Sequence, residues 1–368
     1  VSPRCESSWC IRDQTFSVAD VYRGWEKALK RQGHVVKDFN TNDRLCFHGN
    51  IALPVPGSEK CGQCGQLPFK NALDDQGILQ LTMTGLYEDL FIFKPDVVFF
   101  VSGFYTTAPL LKSIRAAGIK VVFLHTESPY EDDVQMQRGQ FASLNIINDP
   151  LRIEDWRGLG IPVQYIPHAY DPEIHYPGSR PPFTDGHEPY ECDFSFIGTA
   201  FRSRQDFFAA MDATGVFSEV DAMLGGSGWE TLEVKNSGLV RLLGNDLGTC
   251  VDNDVTASIY RGSKVGINLY RKEGTDRNDH VGYAMGPREV EMAACGLFFL
   301  RDPRPESDEI FNRILPVFRS PEEAADHLRF WVARDTLRET QAFRAQVAIA
   351  GRTFRNHADK VMKIVEKL

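Results

Sequence analysis

The chain has no apolar run approaching the ~18 residues that a membrane-spanning helix needs. Its opening residues, VSPRCESSWC, lack the basic-then-apolar pattern of an exported precursor. Both absences lead us to expect a cytoplasmic protein with no membrane span. Positive charge is also in deficit: 41 Lys and Arg stand against 50 Asp and Glu, a formal net charge of -9. A broad grip on DNA or RNA needs clustered cations to neutralise phosphates, so the balance disfavours nucleic acid as a partner and leaves room only for a local basic cleft. No internal repeat or low-complexity tract is present. Cysteine is sparse beyond the N-terminal region, five of the eight lying in the first 64 residues. Cys46, His48, Cys61 and Cys64 have the ligand types and CxxC spacing of a structural zinc site, or else they are reduced thiols in a loop rich in Gly and Pro.

What is present is an alternation of two hydrophobic periods. VADVYRGWEKALKRQG sets Val18, Val21, Tyr22, Trp25 and Leu29 at helical spacing before Gly33, and HVVKDF reads as the following strand. An irregular Cys-containing insertion occupies residues 41–70, and an amphipathic helix follows to about Phe93. Strands VVFFV, KVVFL, LNIIN and VQYIP come next, separated by helical segments near 107–117, 131–139 and 151–159. The stretch 168–191 carries five prolines and no clear period, as a linker would. A second series then runs through DFSFIG, EVDAML, LVRLLG, KVGINLY, LFFLR and LPVFR, and the chain from Pro321 is helical and charged. Continuous apolar strands separated by helices imply parallel sheets covered on both faces. With 368 residues there is room for two domains. The expected class is α/β, with two Rossmann-like doubly wound parallel-sheet domains facing each other across a cleft.

In such sheets ligands sit outside the carboxyl ends of the strands. After DFSFI come Gly198, Thr199, Arg202 and Arg204: a residue that allows close backbone approach, a hydroxyl, and two guanidinium forks suited to a diphosphate. The same residues also suit a capped helix with solvated arginines. KVGINLY contributes Asn268 and then Arg271. Gly286 precedes a helix with Pro287 in its first turn, and at about 100° per residue Arg288 and Glu291 share a face opposite Val290, Ala293 and Ala294. A cation and an acid there suit phosphate and ribose, or equally an acid offsetting the helix dipole beside a surface arginine. After KVVFL come His125 and Glu127, either able to take a proton from a hydroxyl, in a segment that also reads as a polar helix-capping loop. Ser17, in the N-terminal loop, and His168, at the crossover, are candidates to face the cleft; Ser17 also reads as a helix cap and His168 as part of a hinge.

The stretch REVEMAACGLFFLRDPRPESDEIF resembles the donor-site signature of the CgeB-like branch of the group 1 glycosyltransferases, through Arg288, Glu291, Ala293, Ala294, Cys295, Gly296, Asp302, Pro303 and Arg304. KPDVVFFVSG, KVVFLHTESPY, YIPHAYDPEIHYP and CDFSFIGTAFRSRQDFF resemble the same family in order. One departure stands out: many group 1 members carry a second Glu eight positions before the equivalent of Glu291, and here that residue is Tyr283.

The resemblance implies a GT-B fold and transfer of a sugar from a nucleotide-diphosphate donor to an acceptor hydroxyl of a glycan, protein or small molecule. Its expected layout is an acceptor-side domain at 1–168, a linker at 169–191, a nucleotide-sugar-binding domain at 192–334, and a helical tail at 335–368 that packs back on the first domain. Gly198, Thr199, Arg202, Arg204, Asn268, Arg271, Gly286, Arg288 and Glu291 would bind the donor, Arg288 and Arg202 holding the diphosphate and Glu291 the ribose. Glu127 or His125 would be catalytic, and Ser17 and His168 would lie on the acceptor side. The acidic pairs in VDND and YEDD read as helix N-terminus enrichment, so no metal and no cofactor is expected, with arginines and a helix dipole stabilising the leaving diphosphate. A sugar-nucleotide epimerase or hydrolase, or a non-catalytic nucleotide-sugar-binding protein, would fit the same frame.

Overall fold

A computed structural model describes residues 19–49, 51–54, 69–71, 73–178, 190–229, 238–244, 251–273 and 282–368. The first half runs α1 (Ala19–Arg31), α2 (Thr41–Gly49), β1 (Ala52–Pro54), β2 (Phe69–Asn71), α3 (Asp75–Phe93), β3 (Val97–Val101), α4 (Ala108–Ala116), β4 (Lys120–His125), α5 (Asp132–Gly139), β5 (Leu144–Ile147), α6 (Ile153–Gly158) and β6 (Val163–Tyr165). The second runs β7 (Cys192–Ile197), α7 (Arg202–Ala213), β8 (Ala222–Gly225), α8 (Asn253–Gly262), β9 (Ser263–Asn268), α9 (Pro287–Ala294), β10 (Phe298–Arg301), α10 (Pro305–Ile310), α11 (Pro321–Val332), α12 (Asp335–Ile349) and α13 (Phe354–Val365). Two four-stranded sheets result, ordered β3-β4-β5-β6 and β10-β9-β7-β8, and all their pairs are parallel.

The apolar runs form these strands because both faces of each sheet are covered. In β4 successive side chains alternate sides: Val122 and Leu124 pack with α1 and α13, while Val121 and Phe123 pack with Leu110, Leu111 and Ile114 of α4. The second core is larger, with Phe194 and Phe196 of β7, Val265 and Ile267 of β9, and Phe298 and Leu300 of β10 packed against Phe208, Val290 and Ala293.

The helical tail divides between the halves. Ala342, Ala345 and Ile349 of α12 join the second core, whereas Phe354, Ala358, Val361 and Val365 of α13 join the first beside Trp25. The tail thus returns to the first sheet only from Phe354. The two crossings lie side by side: Tyr170 N donates to Arg352 O at 2.9 Å and Phe354 N to Tyr170 O at 3.2 Å.

Three expected strands are absent. HVVKDF forms no ladder, and Val35 is 84% exposed, so its apolar residues do not face a sheet. LVRLLG contains a single 3-10 turn at Leu239–Leu242; its buried Leu239 and Leu242 stand three apart, the spacing of that turn and not of a strand. LPVFR adds one bridge, Arg301 to Val317, next to Pro316, which has no N–H to extend a ladder. Among the described residues no helix is long and apolar enough to cross a membrane.

Candidate functional site

The carboxyl ends of β7 and β9 meet at Arg288, in the first turn of α9. Its Nε donates to Ile197 O at 2.9 Å and its Nη1 to Asn268 Oδ1 at 3.1 Å. Gly198 makes this possible, because a Cβ there would lie 2.3 Å from Arg288 Nη2. Arg204, in the first turn of α7, is held in the same way: Nε donates to Leu269 O and Nη1 to Thr199 O, each at 3.0 Å. The Asn268 Nδ2 is buried with no partner among the described residues.

Three guanidiniums then alternate with three aromatic rings. Arg271 lies 4.2 Å from the Tyr130 ring centroid and 5.2 Å from that of Phe201. Arg204 lies 5.2 Å from Phe201 and 5.5 Å from Phe196, and Arg288 lies 4.8 Å from Phe196. The order Tyr130, Arg271, Phe201, Arg204, Phe196, Arg288 runs from the first half to α9. Planar, weakly hydrated guanidiniums tolerate such stacking, and ring faces attract them. Burial, reinforced by repulsion from Arg288, lowers Arg204 to about 9, and of the three guanidiniums only Arg271 has an ion-pair partner among the described residues. Arg304 lies 3.7 Å over the Tyr270 ring beside the stack. Burial raises the neighbouring Asp302 to about 7, although its Oδ2 accepts from Tyr270 N at 2.9 Å.

Glu127 faces this charge from the first half. Its Oε2 is 3.3 Å from Arg271 Nη2, and its Oε1 accepts from Thr126 Oγ1 at 3.3 Å. Burial raises its pKa while Arg271 pulls it back. His125 lies elsewhere. Its side chain is in the core, with Nε2 against Asn145 Oδ1 at 2.9 Å and its ring stacked 5.3 Å from that of Phe123, and burial lowers it to about 4. His168 pairs with Asn148 Nδ2 at 2.9 Å and is lowered to about 4 by burial, aided by Arg352. With Thr126, Asn148 and His357 it lines a cavity walled by Trp25 and Phe354 at the end of the first sheet.

Gly198, Thr199, Arg204, Asn268, Arg271, Arg288 and Glu127 are therefore gathered in one place. Arg202 is not: it is exposed and ion-paired with Asp206 on its own helix at 2.9 Å. Residues two positions apart on a helix differ by about 200° in direction, so when Arg204 turns inward Arg202 turns out. Glu291 lies one turn beyond Arg288, half-buried and raised to about 7 by burial, with Arg288 opposing. Gly286 acts through its N–H, which donates to Tyr270 Oη at 2.9 Å and Glu289 Oε2 at 3.1 Å. Ser17, Cys61 and Cys64 and the side chain of Cys46 lie outside the described residues.

The sequence assigned no role to Tyr130, Phe196, Phe201, Glu273 and Glu289, and Arg304 entered only as part of the family signature. Glu289 had a local signal, since an acid three residues after an N-cap forms a capping box; it is fully buried and accepts from Ser307 Oγ at 2.9 Å as well. Glu273 caps α7, taking Ser203 N and Ser203 Oγ, each at 2.8 Å. The N-termini of α7 and α9 thus both carry acids of the second half. The charge on offer to a ligand is guanidinium, not helix dipole.

Residues 202–363 match the model of a glycosyl transferase-like family. A comparison with curated proteins finds no match. The two-sheet arrangement is the GT-B fold, and solved structures share it. Sucrose-phosphate synthase from Thermosynechococcus elongatus is 12% identical, with 95% of this chain and 92% of that chain covered and a TM-score of 0.60. HepE from Anabaena in complex with UDP is 13% identical over 80% of this chain and 85% of that one, with a TM-score of 0.54. A putative UDP-N-acetylglucosamine 2-epimerase from Listeria monocytogenes is 13% identical over 82% of each chain, also with a TM-score of 0.54. Such identities carry the fold and no substrate. The family match in the second half, together with the fold, supports a glycosyltransferase.

Proposed function

We propose that the protein transfers a glycosyl group from a nucleoside-diphosphate sugar to an acceptor hydroxyl, the second half (192–334) holding the donor and the first (1–168) the acceptor. The observation that carries this reading is the alternating stack of Arg271, Arg204 and Arg288 with aromatic rings at the carboxyl ends of β7 and β9, which meets Glu127 of the first half at Arg271. A diphosphate lying along the stack would meet forked donors whose charge is only partly offset, and those donors would stabilise it further as it departs. In this reading the guanidiniums supply the charge that a divalent cation supplies elsewhere, so turnover needs no added metal. Glu291 reaches the ribose hydroxyls from the next turn of α9.

Glu127 is the acceptor's base. The ion pair with Arg271 holds its charged form; when Arg271 turns to the diphosphate, that support weakens and the carboxylate becomes a better proton acceptor. HepE has been captured with UDP and with UDP-glucose, which makes UDP the first nucleotide to try. The deciding experiment incubates the protein with UDP-, GDP- and ADP-sugars, with and without a panel of hydroxyl acceptors, in chelator. Transfer that depends on acceptor supports the reading. Epimerised or hydrolysed donor with no acceptor dependence contradicts transfer, and binding without turnover of any donor leaves a binding protein.

A further inference from the structure

Four successive backbone N–H groups lead into α9, and each meets an acid or a phenol. Tyr283 N and Ala284 N donate to Asp149 Oδ2 at 2.7 and 2.9 Å. Met285 N donates to Glu306 Oε2 at 2.7 Å, and Gly286 N meets Tyr270 and Glu289 as described. Glu306, Tyr270 and Glu289 belong to the same half as the loop. Asp149 does not: it follows β5 in the first sheet, 134 residues away from Tyr283 in sequence.

Asp149 is built for this contact. It is 4% exposed, and its second oxygen, Oδ1, accepts from Leu151 N at 2.8 Å, which fixes the side chain before the other half arrives. Gly282 keeps the approach open, since a Cβ there would stand 2.7 Å from Asp149 Oδ2 and 2.6 Å from Arg304 Nη1. Glu306 extends the same tie, its Oε1 taking Tyr165 Oη of β6 at 2.8 Å and Arg352 Nη2 at 2.6 Å. Backbone N–H groups donating to an ionised carboxylate make charge-assisted bonds, stronger than neutral ones, and a buried N–H left without its acceptor is destabilising. The segment so held ends two residues before Arg288.

We propose that Asp149 is a positioning residue for donor binding: by holding the amides of Tyr283 and Ala284 from the opposite half, it sets the approach to α9 and hence the place of Arg288. The donor site is then complete only when the two halves are closed on each other. This rests on the reading of Arg288 as a diphosphate ligand.

The test compares wild type, Asp149→Ala, Asp149→Asn and Gly282→Ala, with UDP, GDP and ADP as probes. Hydrogen exchange over residues 283–286 reads the hold on the loop, calorimetry reads nucleotide affinity, and thermal melting reads global stability. Asp149→Ala should speed exchange in this segment about 10-fold or more and weaken nucleotide binding about 10-fold, while Asp149→Asn, whose one oxygen can keep the two loop N–H groups only by turning its NH2 toward Leu151 N, should fall between wild type and Asp149→Ala in both. Gly282→Ala, which crowds Asp149 without removing it, should resemble Asp149→Ala. Faster exchange with unchanged nucleotide affinity would overturn the proposal, and so would unchanged exchange. If wild type binds none of the three nucleotides, it is the donor reading of Arg288 that fails, and the positioning role falls with it; exchange then reports only whether the loop is held.

Discussion

The two halves share one architecture and bury opposite chemistry. Each is a four-stranded parallel sheet wrapped in helices. Around the first, the buried titratable groups include the bases His125, His168 and His357, all lowered to about 4 chiefly by burial. Around the second they include the acids Glu291 and Asp302, both raised to about 7 by burial, interleaved with arginines. A parallel sheet prescribes where a site can lie, at the carboxyl ends of its strands, and nothing about its charge; the loops after the strands decide that. Here the second half supplies a cationic stack and the first supplies Glu127, which meets it at Arg271, a division that suits an anionic donor on one side and a hydroxyl on the other.

The sharpest way to break this comparison is to neutralise the first-half acid that pairs with Arg271. Glu127→Gln should lower kcat on the order of 10²–10⁴-fold, the usual worth of a general base, while nucleotide affinity changes by less than about threefold. An equal loss of affinity and turnover would place Glu127 in donor binding. Next in size is Arg288→Ala, which removes the bonds to Ile197 and Asn268 and a charged donor to phosphate. Nucleoside-diphosphate affinity measured by calorimetry should fall about 10- to 100-fold, in line with ~1.5–3 kcal/mol for a charge-assisted bond, whereas Arg202→Ala should change it less than about twofold. Equal effects would dissolve the distinction between Arg288 within the stack and Arg202 outside it.

Smaller effects follow from pH. Glu291 titrates at about 7 in the folded protein, so if its ionised form accepts from ribose, nucleotide affinity should rise as pH increases through 7. That inflection should vanish in Glu291→Gln; an unchanged profile would place the titrating group elsewhere. The halves should also differ in the sign of their pH-dependent stability. A histidine near 4 when folded and near 6.5 when unfolded takes up protons on unfolding between those values, so His168 and His357 contribute stability that is lost as pH falls from 6.5 to 4. Glu291 and Asp302, raised above their unfolded values, do the reverse: between about 4 and 7 their contribution declines as pH rises. Denaturant unfolding of His357→Gln should show a shallower loss toward acid than wild type, and Asp302→Asn a shallower loss toward neutral pH.

Much of the frame was legible in the chain. The apolar runs VVFFV, KVVFL, LNII and CDFSFI became β3, β4, β5 and β7, because a run long enough for a strand and apolar on both sides has one stable home, a sheet covered on both faces. Pro287 opens α9 as its place in the sequence implied, since a missing N–H does no harm in a first turn. The misread segments were those in which apolar residues serve a turn or an edge, as in LVRLLG and LPVFR. At the site the residue types were readable and their partners were not.

Sequence alone determined the alternation of strands and helices and the loops that follow the strands, because each of these is set by a period of two or of 3.6 residues acting over a few positions. It could not say that Arg204 turns inward while Arg202 turns out, that His125 stacks in the core while Glu127 reaches Arg271, or that Tyr130 begins a column ending at Arg288. Those contacts join residues 144 apart for Glu127 and Arg271, and 134 apart for Asp149 and Tyr283. No local preference reaches that far; only the packing of one half against the other brings such groups within hydrogen-bond distance.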